Sequence, residues 1–294
     1  MLMATGPINP PAPELSTFRI QSRKGWQAVH FAELWHYREL FWFLTLRDVK
    51  VRYKQTVLGV MWAVIQPVVN TIIYTGILGR LAHLDQTSPI PYPVLTFTAL
   101  LPWTLFANAL TNSGNSLVGN ERLVSKVYFP RLVIPVSAVL GGVVDFAIAF
   151  LILIVMMLSY RMSGSYAFDL RPGMLLLPLL LLMALAAALG AGLWLSALNV
   201  KYRDVRYVIP FITQVLFWVT PIGYPAGIVK GGWKLLYVGA NPMTGVVEGF
   251  QWALLGSAAP DARAMALSIF FTVLLLVSGL YYFKRVEQSF ADVI

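Results

Sequence analysis

Six long apolar stretches, separated by short polar segments, dominate the pattern of this chain. Each is at least about 20 residues long, the length that a helix needs to cross roughly 30 Å of hydrocarbon. Each also contains at most one charged residue. The pattern therefore predicts an all-α, polytopic membrane protein with six transmembrane helices. The predicted spans cover residues 55–79, 94–118, 132–160, 172–200, 207–229 and 264–283.

A seventh apolar stretch, residues 235–256, has a different pattern. Asn241 and Pro242 are a typical N-cap and first helical residue, and Gly256 is a typical helix end. The helix between them has about 14 residues and a length of about 21 Å, which is too short to cross the hydrocarbon. Backbone that leaves a helix within a membrane must be shielded by protein. We therefore predict an outer re-entrant pair of short helices within residues 225–260.

An amphipathic helix is predicted over residues 31–56, just before the first span. Such a helix lies in the plane of the membrane interface. It acts either as an anchor alone or as a lever that also contacts a partner, and the two charge signs on its polar face favour the lever. The predicted apolar face holds Leu34, Trp35, Phe41, Trp42, Leu46, Val49 and Tyr53, and the polar face holds Glu33, His36, Arg47, Lys50 and Lys54.

The distribution of Lys and Arg predicts the orientation of the chain. If the chain starts in the cytoplasm and crosses six times, the inner segments 1–56, 119–131, 199–206 and 284–294 hold 16 of the 22 basic residues. A seventh crossing would place Lys284 and Arg285 outside, against the positive-inside rule. We therefore expect both termini in the cytoplasm. Residues 1–30 and 284–294 are the predicted tails, and 57–283 the six-span domain.

Composition narrows the possible functions. With 58% hydrophobic and 12% charged residues, the chain is not a soluble enzyme. Its net charge of +9 arises from basic residues between apolar stretches, which fits anionic lipid better than nucleic acid. The chain has no cysteine and no phosphate-binding loop, and its three histidines lack the spacing of metal ligands. We expect no cofactor in this chain, so the energy for transport must come from another chain or from an ion gradient.

Polar side chains recur along the first two spans. Two interpretations remain open: the stripes join helices through hydrogen bonds, or they form the wall of a polar conduit. Amides and hydroxyls can replace water around a sugar, and aromatic faces can stack on it. The candidates are Trp62, Gln66, Asn70 and Tyr74 in the first span, Thr104, Asn108, Thr111, Asn112 and Asn115 in the second, and Trp218 in the fifth.

Two acidic residues lie within apolar stretches. Asp145, in the third span, must face protein or water, because an unpaired carboxylate in a membrane costs several kcal/mol. It serves either as a hydrogen-bond acceptor across the bundle or as a proton relay, although relays usually need more than one such group. Glu248, in the seventh stretch, either stabilises nearby helix N-termini or guards the outer exit.

Three groups of segments together resemble a known family. They are Leu46 to Pro67; Lys126 to Arg131 with Pro135; and Ala197 to Tyr207 with Thr220-Pro221 and Asn241 to Gly245. The combination resembles the permease subunits of type-2 ABC exporters for polysaccharides, whose members export O-antigen, capsule or teichoic-acid chains carried on lipid. The resemblance covers about residues 35–285.

The resemblance implies a homodimeric permease that works with two copies of a separate ATP-binding subunit, which binds ATP and Mg²⁺. It implies export of a lipid-linked polysaccharide across the inner membrane of a bacterium, through a conduit at the dimer axis. The helix before Thr56 matches the family's interface helix, and residues 120–131 match the helix that couples to the ATPase. Ser125 and Leu132 depart from the Lys and the acid frequent in the family. The coupling candidates are Arg47, Lys50, Lys54, Asn120, Glu121, Lys126, Tyr128, Phe129 and Arg131.

Other functions are compatible with parts of the sequence. A drug or small-lipid exporter would have the same fold, but the Tyr-Phe-Pro-Arg and Asn-Pro-Met-Thr-Gly segments resemble the polysaccharide branch. An ion-coupled transporter would need no ATPase. A membrane glycosyltransferase would need a closely spaced pair of carboxylates that this sequence lacks.

Overall fold

The computed structural model describes residues 35–54, 61–225, 227, 233–287 and 290. Over these residues the regular secondary structure is entirely helical, which confirms the predicted all-α class. The predictions for residues 1–34, 55–60 and 291–294 lie outside the described residues.

The helices follow the order of the apolar stretches. Short 3₁₀ segments cover Leu84–Thr87 and Pro172–Leu176, and the second α-helix continues as a π-helix over Thr75–Leu81. The helices are α1 (Arg38–Lys54), α2 (Met61–Tyr74), α3 (Tyr92–Gly119), α4 (Glu121–Lys126), α5 (Val133–Leu140), α6 (Gly142–Met162), α7 (Leu177–Lys201), α8 (Val205–Val219), α9 (Trp233–Ala240), α10 (Pro242–Leu255) and α11 (Ala262–Val286).

Five of the predicted spans are helical segments long and apolar enough to cross a membrane. They cover Val64–Leu81, Tyr92–Gly119, Val133–Met162, Pro172–Lys201 and Ala262–Val286. In the remaining stretch, predicted over 207–229, the helix found among the described residues is α8, which has 15 residues and ends at Val219. It ends early because Thr220 precedes Pro221, and a residue before proline is driven into extended backbone. Thr220 accordingly has ψ of 132°.

Helix α10 begins and ends where the sequence predicts. The Asn241 side chain accepts a hydrogen bond from the Met243 backbone N–H at 3.1 Å, and Pro242 is the first helical residue. Gly256 follows the last turn with φ of 68°, a left-handed conformation that glycine adopts without steric cost. The helix has 14 residues, which confirms the prediction of a short helix at this place.

Helix α3 lies at the centre of the bundle. In its most apolar window of 18 residues, 72% of the residues are buried. In the corresponding windows of the other four long segments, the buried share is 22–33%. Those segments therefore keep apolar flanks on the surface, as helices in contact with lipid do.

Helices α7 and α11 cross in close contact through small residues. A Cβ added to Gly279 would lie 2.3 Å from the Gly190 carbonyl oxygen, so only glycine permits this approach. Beside the crossing, the Trp194 and Tyr282 rings stack with centroids 4.1 Å apart, and Trp194 Nε1 donates to Ser278 Oγ at 3.1 Å. Small residues with interhelical hydrogen bonds are the usual basis of tight packing between membrane helices.

The contacts between loops define two ends of the bundle. At the α1 end, Arg47 donates to Asn120 Oδ1 at 2.8 Å, and the Arg131 backbone N–H donates to Glu287 Oε1 at 3.1 Å. At the opposite end, which we call the pocket end, the Tyr166 hydroxyl donates to the Leu255 carbonyl at 2.6 Å. The Tyr92 hydroxyl, at the start of α3, donates there to the Gly223 carbonyl.

Candidate functional site

A polar cavity of about 370 Å³ lies between α1, α2, α3 and α6. It brings Trp62 and Gln66 of the first predicted stripe opposite part of the second stripe, which contributes Thr104, Asn108 and Asn112. The residues that line it are Arg52, Tyr53, Trp62, Gln66, Pro67, Leu101, Thr104, Leu105, Asn108, Asn112, Asp145, Phe146 and Ala149. The cavity thus combines an indole, amides, a hydroxyl and a charged pair, groups that bind hydroxyl-rich ligands.

The cavity is open to one side of this chain. The Trp62 side chain is 57% exposed, and Gln66 is also exposed on the same side of α2. An exposed amide within an apolar span is unfavourable in contact with lipid. This side of α2 therefore needs a cover of protein or water.

The other members of the two predicted stripes lie away from the cavity. Asn70 is half-buried, whereas Tyr74 belongs to the main core, where its ring lies edge-on to Phe217 with centroids 5.8 Å apart. Asn115 Nδ2 donates to the Thr111 carbonyl at 3.0 Å, and its Oδ1 accepts from Asn199 Nδ2 of α7 at 3.1 Å. At Asn115 the polar side chain therefore joins two helices.

Asp145 is paired with two residues of α1 that the sequence analysis did not assign to a site. Its carboxylate accepts hydrogen bonds from the Arg52 guanidinium and from the Tyr53 hydroxyl. Burial, followed by the hydrogen bond to Asp145, raises the pKa of the Tyr53 phenol, so the phenol remains a neutral donor. A lone acid in an apolar span needs a partner, and the basic residues before the first span were the signal that could have identified it.

Helix α1 is apolar on two opposite sides. Phe41 and Leu44 pack into a core with Leu117, Phe129 and Phe283. The prediction that Phe41 shares one apolar face with Trp35 is therefore wrong: six residues after Trp35, it lies about 120° away from it around the helix. The outer side exposes Trp35, Trp42, Phe43 and Leu46, and the charged residues Lys50 and Lys54 are exposed beside them.

The coupling candidates at the α1 end fall into two groups. Five are exposed, and Tyr128 is the most exposed of them at 92%. The exposed group is Lys50, Lys54, Glu121, Lys126 and Tyr128. The other four make contacts within the chain: Arg47 pairs with Asp48 and Asn120, Phe129 is buried, and Arg131 contacts Glu287.

A second and larger cavity, about 1060 Å³, opens at the pocket end. Glu248 and Gln251 face it from α10, and Tyr166 and Arg171 from the segment between α6 and α7. The N-cap residue of α10 also contacts α8, because Asn241 Nδ2 donates to Thr220 Oγ1 at 2.9 Å. Among the described residues, no three metal-binding side chains come together, so neither cavity contains a candidate metal site.

Comparison with known proteins identifies the relatives of this chain. The O-antigen export system permease protein RfbA of Myxococcus xanthus is 26% identical over 88% of this chain and 97% of its own length. The protein of the same name from Klebsiella pneumoniae is 28% identical over 87% and 95%. The polysialic acid transport protein KpsM of Escherichia coli is 26% identical over 84% and 93%.

A family profile gives the same assignment over most of the chain. The profile described as ABC-2 type transporter matches residues 39–255, which include all of α1 after Arg38, both polar stripes, the segment from α4 to α5 and the short helix α10. The chain therefore belongs to the membrane-protein family of ABC-2 type transporters.

Proposed function

We propose that this protein is the permease subunit of an ATP-driven exporter that moves a lipid-linked polysaccharide across the bacterial inner membrane. The observation that carries the proposal is the cavity that joins Trp62 and Gln66 to Thr104, Asn108 and Asn112. Its amides and hydroxyl can replace the water around a sugar, and its indole offers a stacking face. The names of the relatives, O-antigen and polysialic acid transport, support the same class of substrate.

The open side of the cavity supports a homodimer. A second copy placed against α2 would cover Trp62 and Gln66 and extend the polar surface into a continuous conduit. Helix α8 has an exposed apolar face that also suits contact with a second copy or with lipid, formed by Tyr207, Phe211, Val215 and Trp218. A polymer too long for a closed cavity needs such a path along the dimer axis.

The contacts of α8 support six crossings with both termini in the cytoplasm. Asn199, at the end of α7, lies just before the start of α8. Its Nδ2 donates to the carbonyl of Gly114 at 3.0 Å, and Gly114 lies close to the α1 end of α3. Just beyond the last residue of α8, Gly223 accepts from Tyr92 at the pocket end. The 15-residue helix is about 22 Å long. The residues that follow it, Thr220 to Gly223, would make up the remaining thickness.

The contacts of α10 support a re-entrant pair. Its last residues lie at the pocket end, where Tyr166 binds the Leu255 carbonyl. Its N-cap Asn241 has its carbonyl 3.5 Å from Ser268 Oγ, six residues into α11 and so about 9 Å below its start. Helices α9 and α10 would thus enter the membrane from outside and return, with α8 and α11 as their protein cover.

The absence of cysteine makes this topology testable with single introduced cysteines and an impermeant thiol reagent. Ser125→Cys, in α4, should react only from the cytoplasm. Gly227→Cys and Ser257→Cys, before and after the short helices, should both react only from outside. Reaction of residues 227 and 257 from opposite sides would contradict the re-entrant pair and leave a seventh crossing.

The ATPase is the partner expected at the α1 end, where Tyr128, Lys126 and Glu121 are exposed together. Aromatic and basic side chains are frequent among the residues that dominate binding between proteins. The outward apolar side of α1, with Trp35 and Trp42, suits the membrane interface beside that contact. Helix α1 would then lie in the interface plane with its charged residues toward the cytoplasm.

The function is tested in inverted membrane vesicles that contain the permease and its ATP-binding subunit, supplied with a lipid-linked O-antigen polysaccharide. We expect ATP to carry the polymer into the vesicle, where added glycosidase no longer cleaves it. A non-hydrolysable ATP analogue should give no protection. Protection driven by a proton gradient without ATP would favour the ion-coupled transporter, and turnover of a nucleotide sugar by the purified permease would favour the glycosyltransferase.

A further inference from the structure

The C-terminal end of α11 contacts the segment that follows α4. The Glu287 carboxylate accepts from the Arg131 backbone N–H at 3.1 Å through one oxygen, and from Lys284 Nζ at 2.7 Å through the other. In return, the Arg131 guanidinium donates to the Glu287 carbonyl and lies over the Phe290 ring, 5.9 Å from its centroid. The two segments, 156 residues apart in sequence, are therefore joined by charge-assisted hydrogen bonds and a cation–π contact.

The same contacts are partly shielded from water. The side chains of Lys284 and Glu287 are 17% and 16% exposed. Phe290 is fully buried and lies edge-on to Phe283 with ring centroids 5.4 Å apart. Hydrogen bonds to a charged group are worth more than neutral ones, and shielding from water and salt preserves that difference.

Two neighbouring aromatic residues of the joined segment point in opposite directions. Phe129 is 5% exposed in the core beneath α1, whereas Tyr128 is 92% exposed. The backbone around them is not helical: α4 ends at Lys126, and Val127 is extended, with φ of −124° and ψ of 134°. Between α4 and α5, Arg131 therefore supplies the fixed polar contact that complements the apolar contact of Phe129.

We propose that Glu287 is a positioning residue, which holds Arg131 and thereby presents Tyr128 to the ATP-binding subunit in one orientation. The identity of that partner rests on the proposed function, but the positioning of Tyr128 does not. The end of the last helix is then part of the coupling surface, although it is far from residues 120–131 in sequence.

The packing of α11 determines which parts of the bundle a displacement of the Arg131–Glu287 contact would reach. Through Gly279 and Tyr282 the helix is packed tightly on α7, and through Ser268 it contacts the N-cap of α10. Its 25 residues span about 37 Å as one continuous helix. A displacement of the segment around Tyr128 would thus pass through Glu287 to one continuous helix that contacts the N-cap of α10.

Positioning can be measured without the ATPase. A spin label on Tyr128→Cys in the full-length permease reports the mobility of the segment, and one on Met162→Cys, 89% exposed at the pocket end, is the control. We expect Glu287→Ala to increase the mobility of the label at 128 and not that at 162. Glu287→Gln, whose amide oxygen still accepts from Arg131, should give a smaller increase. If Glu287→Ala increases the mobility of both labels, the Glu287→Gln variant is decisive. An increase in mobility confined to the label at 128 in that variant supports the proposal, and any other result overturns it.

The functional consequence is measured with native Tyr128. In membranes that contain the permease, titration of the ATP-binding subunit should show that Glu287→Ala raises the half-saturating concentration about tenfold, the effect of 1.4 kcal/mol, while polymer export at saturation is retained. An unchanged half-saturating concentration together with an unchanged label at 128 overturns the positioning role. Increased mobility at 128 with no binding of any ATP-binding subunit by the parent permease would instead overturn the proposed function and leave the positioning intact.

Discussion

Asp145→Ala is expected to destabilise the permease and to lower polymer export at least tenfold. The substitution removes the acceptor of both Arg52 and Tyr53, so α1 loses its polar attachment to α6. Loss of one partner of a fully buried ion pair costs about 3–5 kcal/mol. Because the Arg52 side chain is 35% exposed, we expect a destabilisation of about 1–3 kcal/mol here. Thermal unfolding of the purified permease and export in vesicles measure the two effects.

A double-mutant cycle separates this pair from general damage. Arg52→Gln should produce part of the same destabilisation. The double variant Arg52→Gln with Asp145→Ala should lose less unfolding free energy than the sum of the losses in the two single variants. Asp169→Asn, which removes an exposed carboxylate at the pocket end, is the control and should change stability by less than about 0.5 kcal/mol. Additive effects of the two substitutions would show that the Arg52–Asp145 pair does not stabilise the attachment of α1 to α6.

Asn108→Leu and Asn115→Leu are expected to have opposite consequences, although both replace an asparagine of α3. Asn108 lines the cavity, so leucine should leave stability almost unchanged and reduce export about tenfold or more by removing an amide from the conduit. Asn115 accepts from Asn199 of α7, so leucine should destabilise the protein by about 1–3 kcal/mol, because one of the two N–H groups of the buried Asn199 amide loses its acceptor while the other keeps the Gly114 carbonyl. Unfolding temperature and export rate are measured for both variants.

Trp62→Ala is the companion to Asn108→Leu on the other wall of the cavity. It should also reduce export, by removal of a stacking face, and leave assembly with the ATP-binding subunit intact. If Trp62→Ala and Asn108→Leu both export at the parent rate in normal amounts, the cavity is not the path of the polymer. If both fail to fold, these side chains serve the packing of the helices and do not test the path of the polymer.

The helix ends show how far local sequence determines this fold. Asn241, Pro242 and Gly256 specify α10 through a cap, a first-turn proline and a left-handed glycine, all of which are local effects. The same kind of signal, Thr220-Pro221, ends α8. The predicted span continues to residue 229 because it is defined by hydrophobicity alone. Hydrophobicity measures transfer into lipid and contains no information about backbone geometry, so the length of that helix was overestimated.

The candidate cavity was predictable only in part, for a geometric reason. Residues four apart on a helix advance by about 400°, so each step turns the stripe by about 40° and three steps turn it by about 120°. Trp62 and Gln66 therefore reach the cavity, whereas Tyr74, at the end of the same stripe, faces the core. Which helix would face Trp62, and that Arg52 would meet a carboxylate 93 residues away, depend on tertiary packing that no local pattern contains.

The early end of α8 has a consequence for how the chain enters the membrane during synthesis. Its last carbonyls lack partners within the helix: that of Trp218 accepts from the Tyr224 hydroxyl at 2.7 Å, and that of Val219 from the Tyr237 hydroxyl at 2.6 Å. Exposed backbone of this kind costs several kcal/mol per group in hydrocarbon. Tyr237 leaves the ribosome after α8 does. If α8 crosses the membrane as proposed, the nascent helix therefore lacks these two hydrogen bonds until Tyr224 and Tyr237 have been translated, and its full stability in the membrane depends on the segment that follows it.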